Sequence, residues 1–315
     1  MMYFIAPIFA LLLVLMSACQ HSSLSQGEDI ERLLKEALLT DVVILGEKHD
    51  NPEHHRIQAQ FIKELSRQGR LQGVYMEHLF PSQEMILVKE SAEVWPEKLN
   101  WKTSGWPSYS VFQSLFDVIA AEKPPVYGVG IPRHQLKAFY KKQDPGYLNE
   151  DEKKSVGLTV PLPDQAHQDL LRTIVKAHCG YLDEKSAGFM MPLQRYKDAF
   201  MAKRYFEHRQ AGKVAVYIIG AGHGRRDFGV PYYLKYRDPK LRILSIQLQE
   251  RGQGLGQEPN FDRILVTEAV DHEDPCMKFK KSLEKSFKKG AKPKSPLQHK
   301  SHDGLGKSHG KTPRQ

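Results

Sequence analysis

Cysteine is scarce in this chain of 315 residues, and so are long apolar runs. The three cysteines are too few for a disulfide framework, and none forms the C-x-x-C spacing typical of zinc sites. The longest apolar run, at the N-terminus, has about 16 residues, whereas a membrane-spanning helix needs about 20. The sequence therefore does not support a disulfide framework, a C-x-x-C zinc site or an N-terminal membrane span.

Excess charge is also missing from most of the chain. The formal net charge is +9, but residues 276–315 alone hold 12 Lys and Arg against 2 Asp and Glu. The remainder carries 34 basic and 35 acidic residues and lies near neutrality. The charge of residues 1–275 therefore does not indicate nucleic-acid binding. With 40% hydrophobic residues, the body can bury one large core or two modest ones.

The N-terminal segment is typical of a secretion signal. Its apolar run ends at Met16-Ser17-Ala18-Cys19, which resembles a bacterial lipobox, although methionine stands where leucine is usual and no Lys or Arg precedes the run. We interpret residues 1–18 as a signal peptide, Cys19 as the lipidated residue and 19–28 as a lipid-anchored linker. This interpretation places the protein in the bacterial cell envelope, anchored in the outer membrane.

Six apolar runs with the character of strands alternate with segments of helix length. They lie at 41–47, 71–79, 124–132, 214–223, 241–249 and 263–270. Strands that alternate with helices predict an α/β fold with a mainly parallel central sheet flanked by helices. No such run occurs between about 134 and 211, where about three amphipathic patterns predict an inserted helical subdomain. The folded domain is expected over 29–275, and the basic tail, 276–315, is expected to be disordered.

Ionisable residues follow four of the predicted strands, and one more begins the next helix. Ligands of open parallel sheets bind beyond the carboxyl ends of the strands, so these residues are expected at one crevice. The set comprises Glu47, His49, His54, Glu77, His78, Arg133, His223, Arg225 and Arg226. His49 and His223 each end the pattern G-x-x-H, in which we expect the glycine to let the chain turn sharply off the strand. The alternative to a binding or reaction site is a polar turn with a capping histidine.

Two further histidines and one cysteine have simpler interpretations. A helix capped by Asn51 places His54 on its apolar side with Ile57, where a histidine is more often a hydrogen-bonded core residue than a ligand. His55 is expected to face solvent. Cys179 is expected to be an inert buried thiol rather than a metal ligand.

Seven segments of the chain form a recognisable set. In chain order, they are ILGEKHDNPEHHRIQ, the glutamate of YMEH, WKTSGWPSY, IPR, AHCG, LQRYKDAFMA and GAGHGRRDFGVPYYL. Together they resemble the ChaN-like haem-binding lipoproteins of the wider Tiki, TraB and erythromycin-esterase superfamily. The resemblance implies a helical subdomain on an α/β sheet, a lipid anchor, and a part in iron acquisition beside haem or iron uptake machinery. It also implies a homodimer that encloses two haems, with a tyrosine as axial ligand.

The resemblance leaves Tyr181 and Tyr196 as candidate haem ligands, with His178 and Arg133 as further candidate contacts. Methionine and aromatic side chains around them make an adaptable wall for a flat ligand, or simply pack. The chain departs from the family pattern in two places. Gly-Ile-Pro-Arg replaces Asn-Leu-Pro-Arg at 130–133, and Lys-Asp replaces Arg-Asp at 197–198, where lysine keeps the charge but loses the planar fork.

A second hypothesis comes from the metalloprotease branch of the same superfamily. There, paired G-x-x-H histidines and a glutamate are thought to form the active centre. His49, His223, Glu47 and Glu77 match those residue types, with the two histidines as ligands of a divalent metal. The alternative function is therefore a metal-dependent hydrolase, either a peptidase or an esterase.

Overall fold

The computed structural model describes residues 26–142, 144–252, 260–270, 276–277 and 280. The signal peptide, Cys19, most of the linker and nearly all of the basic tail lie outside these residues, so the expectations for them stay predictions. Within the described ranges, no helix has both the length and the apolar character needed to span a bilayer.

A six-stranded parallel sheet forms the centre of the fold, which confirms the predicted α/β class. The strands are β1 (Val42–Glu47), β2 (Leu71–Met76), β3 (Val126–Gly128), β4 (Val214–Gly220), β5 (Ile243–Glu250) and β6 (Arg263–Thr267). Their order is β3-β2-β4-β1-β5-β6, and each pairing is parallel. Because β1 and β4 are central and buried along their whole lengths, their sequences are continuous apolar runs.

Helices cover both faces of the sheet. Those outside the insertion are α1 (Gln26–Ala37), α2 (Pro52–Arg67), α3 (Glu84–Lys89), α4 (Trp95–Lys98), α5 (Trp101–Ser104), α6 (Gln113–Glu122) and α12 (Val230–Arg237). On one face, α1, α2 and α6 pack over Val43 and Leu45 of β1. Since strand side chains alternate, Val42 and Ile44 point to the other face, where they share a core with α12.

Five described helices fill the segment between β3 and β4, where the sequence predicted about three. They are α7 (Arg133–Lys142), α8 (Glu150–Ser155), α9 (Asp164–Ala177), α10 (Glu184–Gly188) and α11 (Met191–His208). With six and five residues, α8 and α10 are too short to show a helical period in the sequence. α9 and α10 form a small core around Leu170, whereas α11 packs on the sheet through Tyr205.

Cys179 forms a disulfide with Cys276, with the two Cα atoms 5.5 Å apart. The expectation of an inert thiol at Cys179 is therefore wrong. The partners are 97 residues apart in the sequence, and no spacing rule pairs cysteines at such a distance. The bond fastens the first residue of the basic tail to the turn that follows α9, beside Tyr181.

Candidate functional site

Two buried carboxylates at the carboxyl ends of β1 and β2, the strands on either side of β4, organise the crevice. Glu47 is the last residue of β1, and Glu77 directly follows β2. His49 connects them, because its Nδ1 lies 2.8 Å from Oε1 of Glu47 and its Nε2 lies 3.9 Å from Oε2 of Glu77. The crevice therefore consists of two linked groups of side chains, which we call the Glu47 cluster and the Glu77 cluster.

The Glu47 cluster contains Glu47, His49, His55, Gln58 and His78. Oε1 of Glu47 lies 2.8 Å from Nδ1 of His49 and 3.0 Å from Nε2 of His78. Oε2 accepts a hydrogen bond from the amide of Gln58 and lies 3.4 Å from Nε2 of His55. Burial opposes ionisation of Glu47, but His78 and His55 hold the pKa of its carboxyl well below the ordinary value. The carboxylate is the hub of this cluster.

His55 is buried, so its predicted exposure to solvent is wrong. Its Nδ1 donates to the carbonyl of Val111 at 2.8 Å, and its ring stacks on Phe112 at 4.0 Å. The short helical turn Tyr109–Phe112 covers this side of α2. The helical period of α2 could not predict that His55 is covered, because the turn that covers it lies more than 50 residues away in the sequence.

The Glu77 cluster contains Glu77, Lys197, Asp198, His223 and the backbone of Gly220. Oε2 of Glu77 accepts the Gly220 N–H at 2.9 Å, and Oε1 lies 3.1 Å from Nζ of Lys197 and 3.2 Å from Nε2 of His223. Nδ1 of His223 donates to Asp198. Burial disfavours a charged imidazole, yet Glu77 and Asp198 raise the pKa of His223 to about 9. Two anions and two cations therefore balance one another below that pH.

This arrangement does not favour a metal shared by His49 and His223. Both ring nitrogens of His223 are engaged within the Glu77 cluster, and the ammonium of Lys197 lies 3.1 Å from its Nε2. A fixed side-chain cation therefore lies where the hydrolase hypothesis requires a metal ion. The sequence marks Lys197 and Asp198 only as a departure from a family pattern, because nothing in the spacing of α11 indicates that they contact Glu77 and His223.

The glycines of the two G-x-x-H segments have a different role from the one predicted. Gly220 has φ −59°, an ordinary value, so it does not make a turn that other residues could not adopt. A Cβ atom at this position would lie 2.9 Å from Nε2 of His49, and one at Gly46 would lie 3.0 Å from Cα of Ala221. Both glycines are required for space between neighbouring segments.

Three of the predicted crevice residues make contacts of their own outside the two clusters. Arg225 pairs with Asp227 at 2.8 Å and lies over the ring of Phe228. Arg226 pairs with Asp262 at 2.9 Å. His54 is a core residue: its Nδ1 accepts the N–H of Lys48 at 3.0 Å, and its Nε2 donates to Thr267 at 2.9 Å.

Acid should weaken the fold through His54. Burial lowers the pKa of this histidine to about 4, whereas an unfolded chain protonates it near 6.5. The unfolded state therefore binds more protons below pH 6.5, and we expect a loss of up to about 3 kcal/mol as the pH falls from 6.5 to 4. Urea unfolding of the wild type and His54→Asn at several pH values measures this loss. Equal pH dependence in both proteins would contradict the prediction.

Comparison with known proteins identifies the family of this chain. The family described as "Haem-binding uptake, Tiki superfamily, ChaN" matches residues 33–234, well over half of the sequence. The chain belongs to this ChaN family. No curated protein sequence matches it significantly.

Two solved structures are similar to this ChaN-family chain. ChaN of Campylobacter jejuni, described as showing cofacial haem binding, is 21% identical, with a TM-score of 0.55 over 70% of this chain and 86% of its own. The type III effector HopBA1 is 13% identical, with a TM-score of 0.41 over 76% and 93% of the two chains. The first similarity supports the fold, and the second is too weak to support an inference.

Tyr196, a candidate haem ligand, is buried and holds a loop of the ChaN-family fold in place. Its hydroxyl accepts the N–H groups of Tyr147 at 2.8 Å and Leu148 at 2.9 Å, and donates to Asp144 at 3.2 Å. Burial raises the pKa of Tyr196 to about 12, which opposes the tyrosinate form that ferric iron requires. Its contacts are those of a structural residue.

The other predicted haem contacts lie in two separate places. His178 caps α9, where its Nδ1 donates to the carbonyl of Ile174 at 2.7 Å, and Tyr181 is half-buried in the following turn. Arg133 lies at the Glu77 cluster, where it lines a cavity of about 190 Å³ together with Trp106. The structure therefore does not bring the four residues predicted for haem into one place.

A larger cavity, of about 560 Å³, opens within the helical subdomain. Phe139, Leu171 and Met191 form an apolar wall, and Lys185 and His167 supply polar groups. A volume of this size is typical of small-molecule sites. His167 is exposed on α9 and belongs to no motif, so no signal in the sequence identified it.

Proposed function

We propose that this protein is a lipid-anchored, extracytoplasmic haem-binding protein that takes part in haem or iron uptake. The observation that carries the proposal is the match to the ChaN family over residues 33–234. The disulfide between Cys179 and Cys276 supports an extracytoplasmic location, because disulfides persist mainly in oxidising compartments. The lipobox-like segment that ends at Cys19 supports the anchor.

The cavity of the helical subdomain is our proposed haem site. Haem is a flat, largely apolar macrocycle with two carboxylates, and the residues of this cavity fit both parts. Phe139, Leu171 and Met191 would contact the macrocycle, while Lys185 would pair with a carboxylate. His167 lines the cavity and offers a nitrogen ligand for iron. Tyr196 also lines it, but its hydroxyl already binds Tyr147, Leu148 and Asp144, so we propose Tyr181, the other tyrosine that the family resemblance indicates, as the oxygen ligand. A homodimer that closes around the ligand, as the family resemblance implies, belongs to the same proposal.

Titration of the full chain with ferric haem tests this proposal. We expect saturable binding and a changed haem absorption spectrum, and at least about tenfold weaker binding in His167→Ala or Tyr181→Phe. The matched controls are His134→Ala, exposed at the start of α7, and Tyr109→Phe, beside α6. Sedimentation with and without haem tests the dimer.

The outcomes separate the function from the site. Failure of haem to saturate the wild type would overturn the proposed function. Saturable binding that neither His167→Ala nor Tyr181→Phe weakens would leave the function standing and exclude this choice of ligands.

A further inference from the structure

Three donor atoms of the Glu47 cluster converge on one point. Oε1 of Glu47, Nδ1 of His49 and Nε2 of His78 are separated by 2.8, 3.0 and 3.3 Å. Ligands bound at about 2.0–2.1 Å from one metal ion stand roughly 3 Å apart, so the triangle has the dimensions of one side of a coordination shell. We propose that these three residues bind a divalent transition-metal ion, at a site separate from haem and independent of His223.

The charge of the cluster is the second argument for a cation. The side chain of Glu47 is fully buried, and among the described residues its ion pairs run only to imidazoles. A buried carboxylate requires a positive partner. A divalent ion held by Oε1 would place a positive charge beside this carboxylate and leave Oε2 to accept the hydrogen bond from Gln58.

The surroundings of the triangle are those of a supported and accessible site. Gln58 donates to Oε2 of Glu47 and so holds the carboxylate in place. The ring of Trp106 packs 4.8 Å from that of His49 and 4.6 Å from that of His78. The side chain of His49 is 32% exposed, whereas those of Glu47 and His78 are fully buried. The exposed side of His49 provides an entry path for an ion from solvent.

Two imidazole nitrogens and one carboxylate oxygen select the class of metal. Ca²⁺ and Mg²⁺ prefer shells made of oxygen. Imidazole suits Zn²⁺ and the first-row ions Fe²⁺, Co²⁺, Ni²⁺ and Cu²⁺. The site is therefore expected to take Zn²⁺ or one of these ions in preference to Ca²⁺ or Mg²⁺.

Cobalt provides a direct probe of this site. The full chain, purified in detergent without haem and treated with a chelator, is titrated with Co²⁺ while the visible absorption of the metal is recorded. We expect one Co²⁺ per chain, displaced by Zn²⁺ and not by Mg²⁺, with at least about tenfold weaker binding in His49→Ala and His78→Ala. His134→Ala, at an exposed position, should bind as the wild type does, and His223→Asn, which removes none of the three ligands, should still bind one Co²⁺ to saturation.

Each result of the titration bears on the proposal. Absence of a saturable spectrum in the wild type would overturn it. Binding lost in His223→Asn but kept in His78→Ala would overturn it in favour of the paired G-x-x-H histidines. If the alanine variants fail to fold, anomalous scattering from Zn²⁺-soaked wild-type crystals must place the ion between Glu47, His49 and His78, and a peak elsewhere excludes the site. Because haem is absent throughout, these results leave the haem proposal untouched.

Discussion

Glu77→Ala should lower the free energy of unfolding by about 3–5 kcal/mol. The substitution removes the carboxylate between Lys197 and His223, and it leaves the N–H of Gly220 without its acceptor. Two positive groups would then share a buried space with Asp198 as their remaining anion. Urea denaturation at pH 7, followed by circular dichroism, measures the loss.

A glutamate on the surface provides the matched control for this experiment. Glu64 pairs with Arg67 one turn away on the exposed side of α2, and Glu64→Ala should cost under about 1 kcal/mol. Glu77→Gln retains an acceptor for Gly220 and removes only the charge, so an intermediate loss is expected. Similar losses in Glu77→Ala and Glu64→Ala would show that the buried network does not stabilise the fold.

Removal of the disulfide should cause the second largest loss of stability among the variants proposed. Cys276→Ser is expected to lower the free energy of unfolding by about 2–4 kcal/mol, because a bond that closes a long loop restricts the unfolded chain. The loop here spans 97 residues and includes α10, α11 and the last three strands. Urea denaturation under oxidising conditions measures the difference.

A reducing agent supplies the control for this prediction. Dithiothreitol should lower the stability of the wild type to that of Cys276→Ser and should leave the variant unchanged. Cys19→Ser retains the bond and should be as stable as the wild type. A wild type that is indifferent to dithiothreitol would contradict a stabilising role for the disulfide.

The strands and the edge where the crevice lies were predictable from the sequence. β1 and β4 are buried on both faces, so each one leaves a continuous apolar run between helical segments. Parallel strands have their carboxyl ends at the same edge of the sheet, and this alone predicts that Glu47, Glu77 and His223 lie close together. The order of the strands was not predictable, because β1 pairs with β4 across more than 160 intervening residues.

The remaining members of the two clusters come from helix surfaces, which the sequence does not position. Gln58 reaches Glu47 from α2, and Lys197 reaches Glu77 from α11. The apolar period of α2 is explained by packing, and α11 has buried residues on most of its sides, so neither helix marks its polar residue as one with a buried partner. The pairing of Cys179 with Cys276 likewise depends on where two distant turns meet in space.

The fit between the two G-x-x-H segments limits how the crevice could be transplanted. Gly220 leaves room for the ring of His49, and Gly46 leaves room for the backbone of Ala221, so each segment is shaped by the other. Their strands pair with Glu47 opposite Gly220. A designer who grafted this crevice onto another parallel sheet would have to move both segments together and in this register. The first segment alone would bring His49 without the space that its ring requires, and the second alone would meet a Cβ atom where Gly46 now lies beside Ala221.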